Sequence, residues 1–251
     1  MEPGRTDSVT TGTVKPQQSA DDRDLRGVQS ALVPLFTSLA SSVIFLILFA
    51  WISEVVFAGQ LQRFDFAVRM KVHSFFNPGV TNFMLAITFL GSIRFLVSLF
   101  AILTAVWLAK GMVRPALWLA IAAGGSVILD ISLKLSFHRL RPAPFVGAVP
   151  LTYSFPSGHA LSSFCFYGVL AGLAGARAES RAMRVAIWIA AAALVCAIGL
   201  SRIYLGVHYP TDVLAGYIAA AAWVSTLLFA SRSRRYSKSR RIGVHAAGAR
   251  P

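Results

Sequence analysis

Cysteine and charged residues are both scarce in this sequence, and each shortage narrows what the protein can be. Only two cysteines, Cys165 and Cys196, occur in 251 residues, which argues against a disulfide framework and against a Cys/His metal site. No glycine-rich phosphate loop is present. Charged residues make up 14% of the chain and hydrophobic residues 56%, so the composition is too apolar for a water-soluble domain of this length.

Six apolar stretches are long enough, or nearly so, to cross a bilayer as helices, which takes about 20 residues each. No stretch alternates with period two, so helices are the expected spanning structure. The sequence therefore predicts an all-α, six-span transmembrane helix bundle over residues 31–231, with a disordered tail over 1–30 and a basic tail over 232–251. The predicted spans are 31–57, 82–109, 115–137, 160–176, 182–203 and 212–231, of which the fourth is short.

The distribution of Lys and Arg predicts the orientation in the membrane. Sixteen basic residues fall in the two tails and in the turns at 110–114 and 177–184, and seven fall on the other side. Because cytoplasmic segments are enriched in Lys and Arg, both termini are expected in the cytoplasm of a cell that carries this multi-pass protein in its cytoplasmic membrane. Despite a net charge of +14, the basic tail after the last span is expected to contact anionic lipid headgroups rather than nucleic acid.

Three ionisable residues lie inside the predicted spans and have no evident task. Glu54 lies near the outer end of the first span, Arg94 in the second and Asp130 in the third. Asp130 is one helical turn before Lys134, so the two side chains are spaced to pair along one helix face. Alternatively, Arg94 extends its side chain to the outer membrane surface. The sequence leaves both interpretations open.

The end of the third span carries two cations that suit phosphate. Lys134 and Arg141 leave the membrane a few residues apart. A lysine offers a point charge and an arginine a planar fork, and both bind phosphate oxygens. A basic helix end that only sets topology is the alternative, although cations on this side run against the charge rule.

Polar residues also precede the fourth span, in the order Pro156-Ser157-Gly158-His159. Ser157 is placed to cap the helix, whose first N–H groups are expected to point at an anion. Gly158 permits close approach, and His159 is suited to donate a proton to a departing oxygen. An N-cap with an incidental histidine is the alternative.

The segment between the fifth and sixth spans contains Arg202, His208 and Asp212. Such residues are costly in a bilayer unless they have a function. A histidine nitrogen can attack an electrophile while a nearby carboxylate holds the other ring N–H. Arg202 is suited to stabilise charge on a transferring phosphoryl group. A structural polar cluster at a helix entry is the alternative.

These three segments together resemble the three-part signature of the type 2 phosphatidic acid phosphatase superfamily, which includes lipid phosphate phosphatases, bacterial acid phosphatases and vanadium haloperoxidases. The pattern is Lys-x6-Arg-Pro, then Pro-Ser-Gly-His, then Ser-Arg-x5-His-x3-Asp. The matching residues are Lys134, Arg141, Pro142, Pro156, Ser157, Gly158, His159, Ser201, Arg202, His208 and Asp212.

The resemblance implies a membrane enzyme that hydrolyses a lipid phosphate or diphosphate without a metal or other cofactor. His208 is implied as the nucleophile that forms a phosphohistidine, Asp212 as its partner and His159 as the acid. The phosphate oxygens are implied to bind Lys134, Arg141, Ser157, Gly158 and Arg202.

The orientation places this site at the extracytoplasmic surface, where polyprenyl diphosphate, phosphatidylglycerophosphate and phosphatidic acid are candidate substrates. Three alternatives remain: transfer of phosphate to another lipid, a haloperoxidase holding vanadate, and a transporter or scaffold that binds phosphate without chemistry. Free phosphate release distinguishes hydrolysis from the first and third, and vanadium content identifies the second.

Overall fold

The computed structural model describes residues 18–148 and 150–248, with side-chain surroundings for 32–148 and 150–234. Every helix or strand assigned within the described residues is an α-helix, so the all-α part of the predicted fold class is confirmed. The helices are α1 (Gln18–Phe57), α2 (Gln62–His73), α3 (Pro78–Leu90), α4 (Ile93–Ala109), α5 (Val113–Phe137), α6 (Gly158–Gly175), α7 (Arg181–Tyr204) and α8 (Pro210–Gly248).

The predicted spans correspond to these helices, with two exceptions. The second span is divided between two helices, and the fourth corresponds to a helix that falls outside the set of candidate spans. Four segments are individually long and apolar enough to cross a bilayer: Leu32–Phe57, Val113–Phe137, Arg181–Tyr204 and Pro210–Arg234. Helices α3 and α4 together supply a fifth, bent by 48°. Helix α6 matches the predicted fourth span in position but falls outside this set, because its first two turns contain polar residues. The described residues thus contain four or five candidate spans, and the count of six stays a prediction.

A side-chain cap starts α3 before the predicted second span, 82–109, and that span is broken between α3 and α4. The Asn77 side chain accepts a hydrogen bond from the Val80 amide at 2.9 Å, with Pro78 in the first turn. Gly91 ends α3, and the Ser92 hydroxyl accepts from the Phe95 amide at 3.3 Å at the start of α4. Since such caps satisfy backbone groups that a continuous helix would pair internally, the apolar run divides here.

The first and last helices both extend into segments that were predicted to be tails. Helix α1 begins at Gln18 rather than near residue 31, so residues 18–30 are helical where disorder was expected. Residues 1–17 lie outside the described part. Residues 18–30 contain no proline, and six of the thirteen are Gln, Ala, Arg or Leu. These residues favour helix and allow the first span to extend backwards. Helix α8 likewise continues beyond the predicted sixth span to Gly248.

Helix α6 lies at the centre of the bundle, packed against α5, α7 and α8, while α1 lies along α8. Leu161 of α6 packs in a buried cluster with Ala219 and Ala220 of α8. At one end of the bundle Arg232 donates to the Pro34 carbonyl oxygen at 2.6 Å. At the opposite end of the bundle, α6 begins in the middle of the ends of the neighbouring helices. The candidate site is located there.

Candidate active site

A cavity of about 360 Å³ lies where α5 ends, α6 begins and α7 turns into α8. Six of the eight predicted site residues line it, and the other two, Ser157 and Asp212, are buried behind its wall. The sequence interpretation is correct in bringing the three segments together. The polar lining consists of Asp130, Lys134, Arg141, Thr152, Gly158, His159, Ser162, Arg202 and His208.

His208 is held in one tautomer by its two ring partners. Arg141 Nη1 lies 2.9 Å from Nε2, and Asp212 Oδ2 lies 3.4 Å from Nδ1. Because a guanidinium only donates and a carboxylate only accepts, the proton belongs on Nδ1 and the lone pair on Nε2. Burial lowers the pKa of His208 to about 4, although the hydrogen bond with Asp212 acts in the opposite direction. The imidazole is therefore neutral at pH 7, and its Nε2 lone pair accepts from Arg141 in the lining of the cavity.

Asp212 is fully buried and is enclosed by hydrogen-bond donors. Besides His208, its Oδ2 accepts from the Tyr209 amide at 2.9 Å and from the Ser154 hydroxyl. Its Oδ1 accepts from Arg139 at 2.5 Å. A carboxylate held on both oxygens has a fixed orientation, so it presents a defined acceptor to the histidine.

Arg141 is positioned by backbone and hydroxyl oxygens of two loops. Nε donates to the Thr152 carbonyl at 2.7 Å and Nη2 to the Thr152 hydroxyl at 2.9 Å. Nη1 donates to the Val207 carbonyl at 2.9 Å. Burial lowers the pKa of Arg141 from its usual value, and the Asp212 and Asp130 carboxylates oppose that shift. Since none of the described acidic side chains forms a salt bridge with Arg141, the guanidinium retains a positive charge beside His208.

Lys134 pairs with Asp130 across one helical turn, with Nζ 2.7 Å from Oδ2. The proposed pairing along one face of this helix is therefore confirmed. The second oxygen of Asp130 is buried and has no hydrogen-bond partner among the described residues. Both side chains line the cavity, so a carboxylate, which the sequence left without a task, belongs to the site.

The start of α6 approaches Asp130 closely at Gly158. A Cβ atom there would lie 2.8 Å from Asp130 Oδ2, so only glycine fits without movement of the carboxylate. Ser157 occupies the N-cap position, as predicted, but its hydroxyl makes no capping hydrogen bond. Its amide instead donates to the Asp212 carbonyl at 2.9 Å, and this contact joins the second motif to the third.

His159 and Arg202 form the wall of the cavity that faces the bend between α3 and α4. Arg202 Nη1 donates to the Thr88 hydroxyl at 2.6 Å. His159 lies beside Gly91, where an added Cβ would be 3.3 Å from its Cδ2. The break between α3 and α4 at Gly91 therefore lies next to His159.

Two buried charged residues next to the site were not assigned from the sequence. Arg139 was counted only among the charges of the outer side, and Asp65 lies on α2, a helix that the hydropathy pattern did not indicate. Arg139 contacts both Asp65 and Asp212. No sequence signal indicated these contacts, because the partners lie far apart in the chain. Asp65 and Thr211, which also bond to each other, are separated by 146 positions.

Comparison with known proteins agrees with this geometry. The sequence profile of the PAP2 superfamily matches residues 115–236, which include all three motif segments. Phosphatidylglycerophosphatase B of Bacillus subtilis is 30% identical over 172 residues, which are 67% of this chain and 84% of that protein. The chain belongs to the PAP2 superfamily.

This PAP2 chain also shares its fold with a solved relative. The crystal structure of a transmembrane PAP2 type phosphatidylglycerolphosphate phosphatase from Bacillus subtilis has a TM-score of 0.67 and 28% sequence identity, covering 79% of this chain and 96% of that one. An undecaprenyl-diphosphatase of Sulfolobus acidocaldarius is 32% identical over 108 residues, covering 41% of this chain and 48% of that protein. The protein is a multi-pass membrane phosphatase of this family.

Proposed function

We propose that this PAP2 enzyme hydrolyses phosphate or diphosphate esters of membrane lipids in the cavity at His208. One observation carries the proposal: His208, whose unprotonated Nε2 contacts Arg141, lines a cavity that is also lined by Lys134 and Arg202. A neutral imidazole is a nucleophile, and three cations match the charge of a phosphoryl group. No other described cavity brings together such a set of residues.

In the first step, Nε2 of His208 attacks phosphorus while the bond to the leaving oxygen breaks. Lys134, Arg141 and Arg202 hold the phosphoryl oxygens, and the first amides of α6 at Gly158 point towards the same anion. The imidazole gains positive charge as the N–P bond forms, and Asp212 stabilises it through the Nδ1 proton. His159 donates a proton to the leaving oxygen, so a lipid alcohol or a lipid phosphate departs.

In the second step, water replaces the lipid product. His159, now neutral, takes a proton from the water as its oxygen attacks phosphorus, and the N–P bond breaks. Inorganic phosphate leaves, and the lone pair returns to Nε2 of His208. The proton that His159 gave up in the first step is thereby recovered, so the cycle restores the starting enzyme.

An apolar groove beside the cavity supports a lipid as the substrate. A second cavity of about 190 Å³ between α4, α5 and α6 shares Ile93, Val127 and Ser162 with the first. Its remaining lining is largely apolar, including Leu96 and Phe100. A lipid with its phosphate at His208 would place its hydrocarbon tail in this groove. The polyprenyl diphosphate, phosphatidylglycerophosphate and phosphatidic acid candidates all have this form.

The test is phosphate release from purified protein in detergent, assayed on those three lipids. The same preparation with His208→Ala serves as the control for contaminating phosphatases.

Activity is expected to survive EDTA, because cationic side chains supply the charge that a metal would provide, and vanadate is expected to inhibit by occupying the phosphate site. Loss of activity in EDTA that magnesium restores would contradict this mechanism. A phosphorylated acceptor lipid without free phosphate would indicate a transferase, and neither product would indicate a transporter or scaffold.

We further propose that the site faces the extracytoplasmic side, with both termini in the cytoplasm. The charge distribution supports this orientation. The contact of Arg232 with Pro34, at the end of the bundle away from the site, supports only that the two termini share one side.

The orientation is tested by cysteine labelling in a Cys196→Ala background, since the other cysteine, Cys165, is buried. Ala148→Cys, in the exposed loop beside the site, is expected to react with an impermeant maleimide in intact cells. Glu179→Cys, in the exposed turn after α6, is the matched control and is expected to react only after permeabilisation. The reverse pattern would place the site in the cytoplasm.

A further inference from the structure

Helix α2 contributes a buried carboxylate to the region behind the nucleophile. Asp65 is 1% exposed. Its Oδ1 accepts from the Thr211 amide at 3.0 Å, and its Oδ2 accepts from the Thr211 hydroxyl at 2.7 Å and from Arg139 Nη2 at 2.8 Å. A buried carboxylate is stable only when it is paired in this way. The side chain thus joins α2 to the first turn of α8.

Arg139 lies between Asp65 and Asp212 and contacts both. Its Nη2 pairs with Asp65, while its Nη1 lies 2.5 Å from Asp212 Oδ1 and 2.8 Å from the Thr211 hydroxyl. The guanidinium also stacks over the Tyr209 ring at 4.2 Å. His138 ends α5 in the left-handed conformation, with φ 51°, and this turn directs Arg139 back under α8. A planar fork suits a bridge between two carboxylates.

The net charge of Asp65, Arg139 and Asp212, which together form the cluster behind the nucleophile, affects how readily His208 carries a positive charge. One guanidinium and two carboxylates carry a net charge of −1, so sharing Arg139 with Asp65 leaves negative charge on the side where Asp212 meets Nδ1. With Asp65 neutral, Arg139 would compensate the charge of Asp212 alone. The other charged or titratable groups around His208 are Arg141 from the α5–α6 loop, His159 of α6 and Arg202 of α7. The cations among them disfavour a positive imidazole.

We propose that Asp65 and Arg139 are positioning residues for the nucleophile: they fix the orientation of Asp212 and preserve its negative charge, so that His208 can carry positive charge while phosphorus is attached. Neither residue lines the cavity. The role rests on the proposed phosphohistidine reaction, and it concerns the rate of the covalent step rather than substrate binding.

The test is Asp65→Asn, which keeps the shape of the side chain and removes its charge. The turnover number is expected to fall about tenfold, which corresponds to the loss of about 1.4 kcal/mol of transition-state stabilisation. KM is expected to stay unchanged. Arg63→Gln, an exposed position on the same helix, is the matched control. Acid-quench trapping is expected to show slower formation of the phosphoenzyme in the Asp65 variant.

A second readout does not depend on activity. Titration of the ¹³C-labelled His208 ring by NMR, assigned with His208→Gln, is expected to shift to lower pH in Asp65→Asn, because a negative charge near the imidazole is lost. An unchanged titration together with an unchanged turnover number, as in Arg63→Gln, would contradict the proposal. A higher KM at constant turnover would also contradict it, because that result indicates a substrate contact.

Arg139→Lys keeps the positive charge but removes the planar guanidinium that contacts both carboxylates. This variant tests the proposal if Asp65→Asn does not fold. Its turnover number is expected to fall at constant KM, and a value equal to that of Arg63→Gln would overturn the role. If the parent protein releases no phosphate from any lipid, the proposed function fails, whereas the titration of His208 in the two variants still tests the cluster.

Discussion

Replacement of His208 by alanine is expected to lower phosphate release by at least about 10⁴-fold, since the loss of a nucleophile removes the covalent route altogether. Formation of the phosphoenzyme should disappear in the same variant. The measurement is acid-quench trapping with a ³²P-labelled lipid phosphate, beside a steady-state assay. Asp212→Asn is the informative comparison, because it leaves Nε2 in place and should retain slow labelling.

The prediction has a clear contrary outcome. Equal labelling of His208→Ala and the parent would exclude His208 as the nucleophile and direct attention to His159, the other histidine that lines the cavity. Because His208 is buried, unfolding of the alanine variant must be checked, and His208→Asn offers a more conservative replacement. Either variant should still bind vanadate if Lys134, Arg141 and Arg202 hold the anion.

His159→Ala is expected to behave differently, and the difference depends on the substrate. With a lipid monophosphate the leaving alkoxide needs a proton, so the loss of the general acid should lower the rate by about 10²–10⁴-fold. With a nitrophenyl phosphate the leaving group departs without a proton, and the first step should be nearly unaffected. Phosphohistidine should then accumulate, because activation of water in the second step also requires His159.

The measurement compares the two substrates on one preparation, with trapped phosphoenzyme as the second readout. A uniform loss of rate on both substrates, without accumulation of the intermediate, would show that His159 binds the phosphate and does not transfer protons. Ser162→Ala, at a cavity position of the same helix, controls for disturbance of α6. Its loss should be small and similar for both substrates.

The site was predictable from the sequence because its chemistry requires particular residue types at helix ends. Lys134, Arg141, Gly158, His159, Arg202 and His208 all line the cavity as expected. The sequence did not predict which hydrogen bonds these residues make, because those depend on neighbouring residues. Ser157 has the right type and position for a cap, yet its amide, not its hydroxyl, makes the contact that holds the turn.

Two features of the fold, the break between α3 and α4 and the helix α2, were not predicted from the sequence for a different reason. The run 82–109 is apolar throughout most of its length, so hydropathy alone indicates one helix, and only the side chain of Ser92 and the position of Gly91 disclose the break. Helix α2 is short and polar, and Asp65 is recognisable as a partner of Arg139 and Thr211 only after the chain has folded. Contacts between distant segments leave no periodic pattern in a sequence.

The bend at Gly91 divides one stretch of chain between two tasks. Thr88, before the bend, holds Arg202 at the phosphate end, whereas Leu96 and Phe100, after it, line the apolar groove. This stretch precedes residue 115, where the match to the PAP2 profile begins. If the groove holds the lipid tail as proposed, changes in α4 would alter which hydrocarbon chain is accepted without disturbing the residues proposed to react with phosphate. Such a separation would let lipid preference diverge in evolution while the reaction itself stays constant.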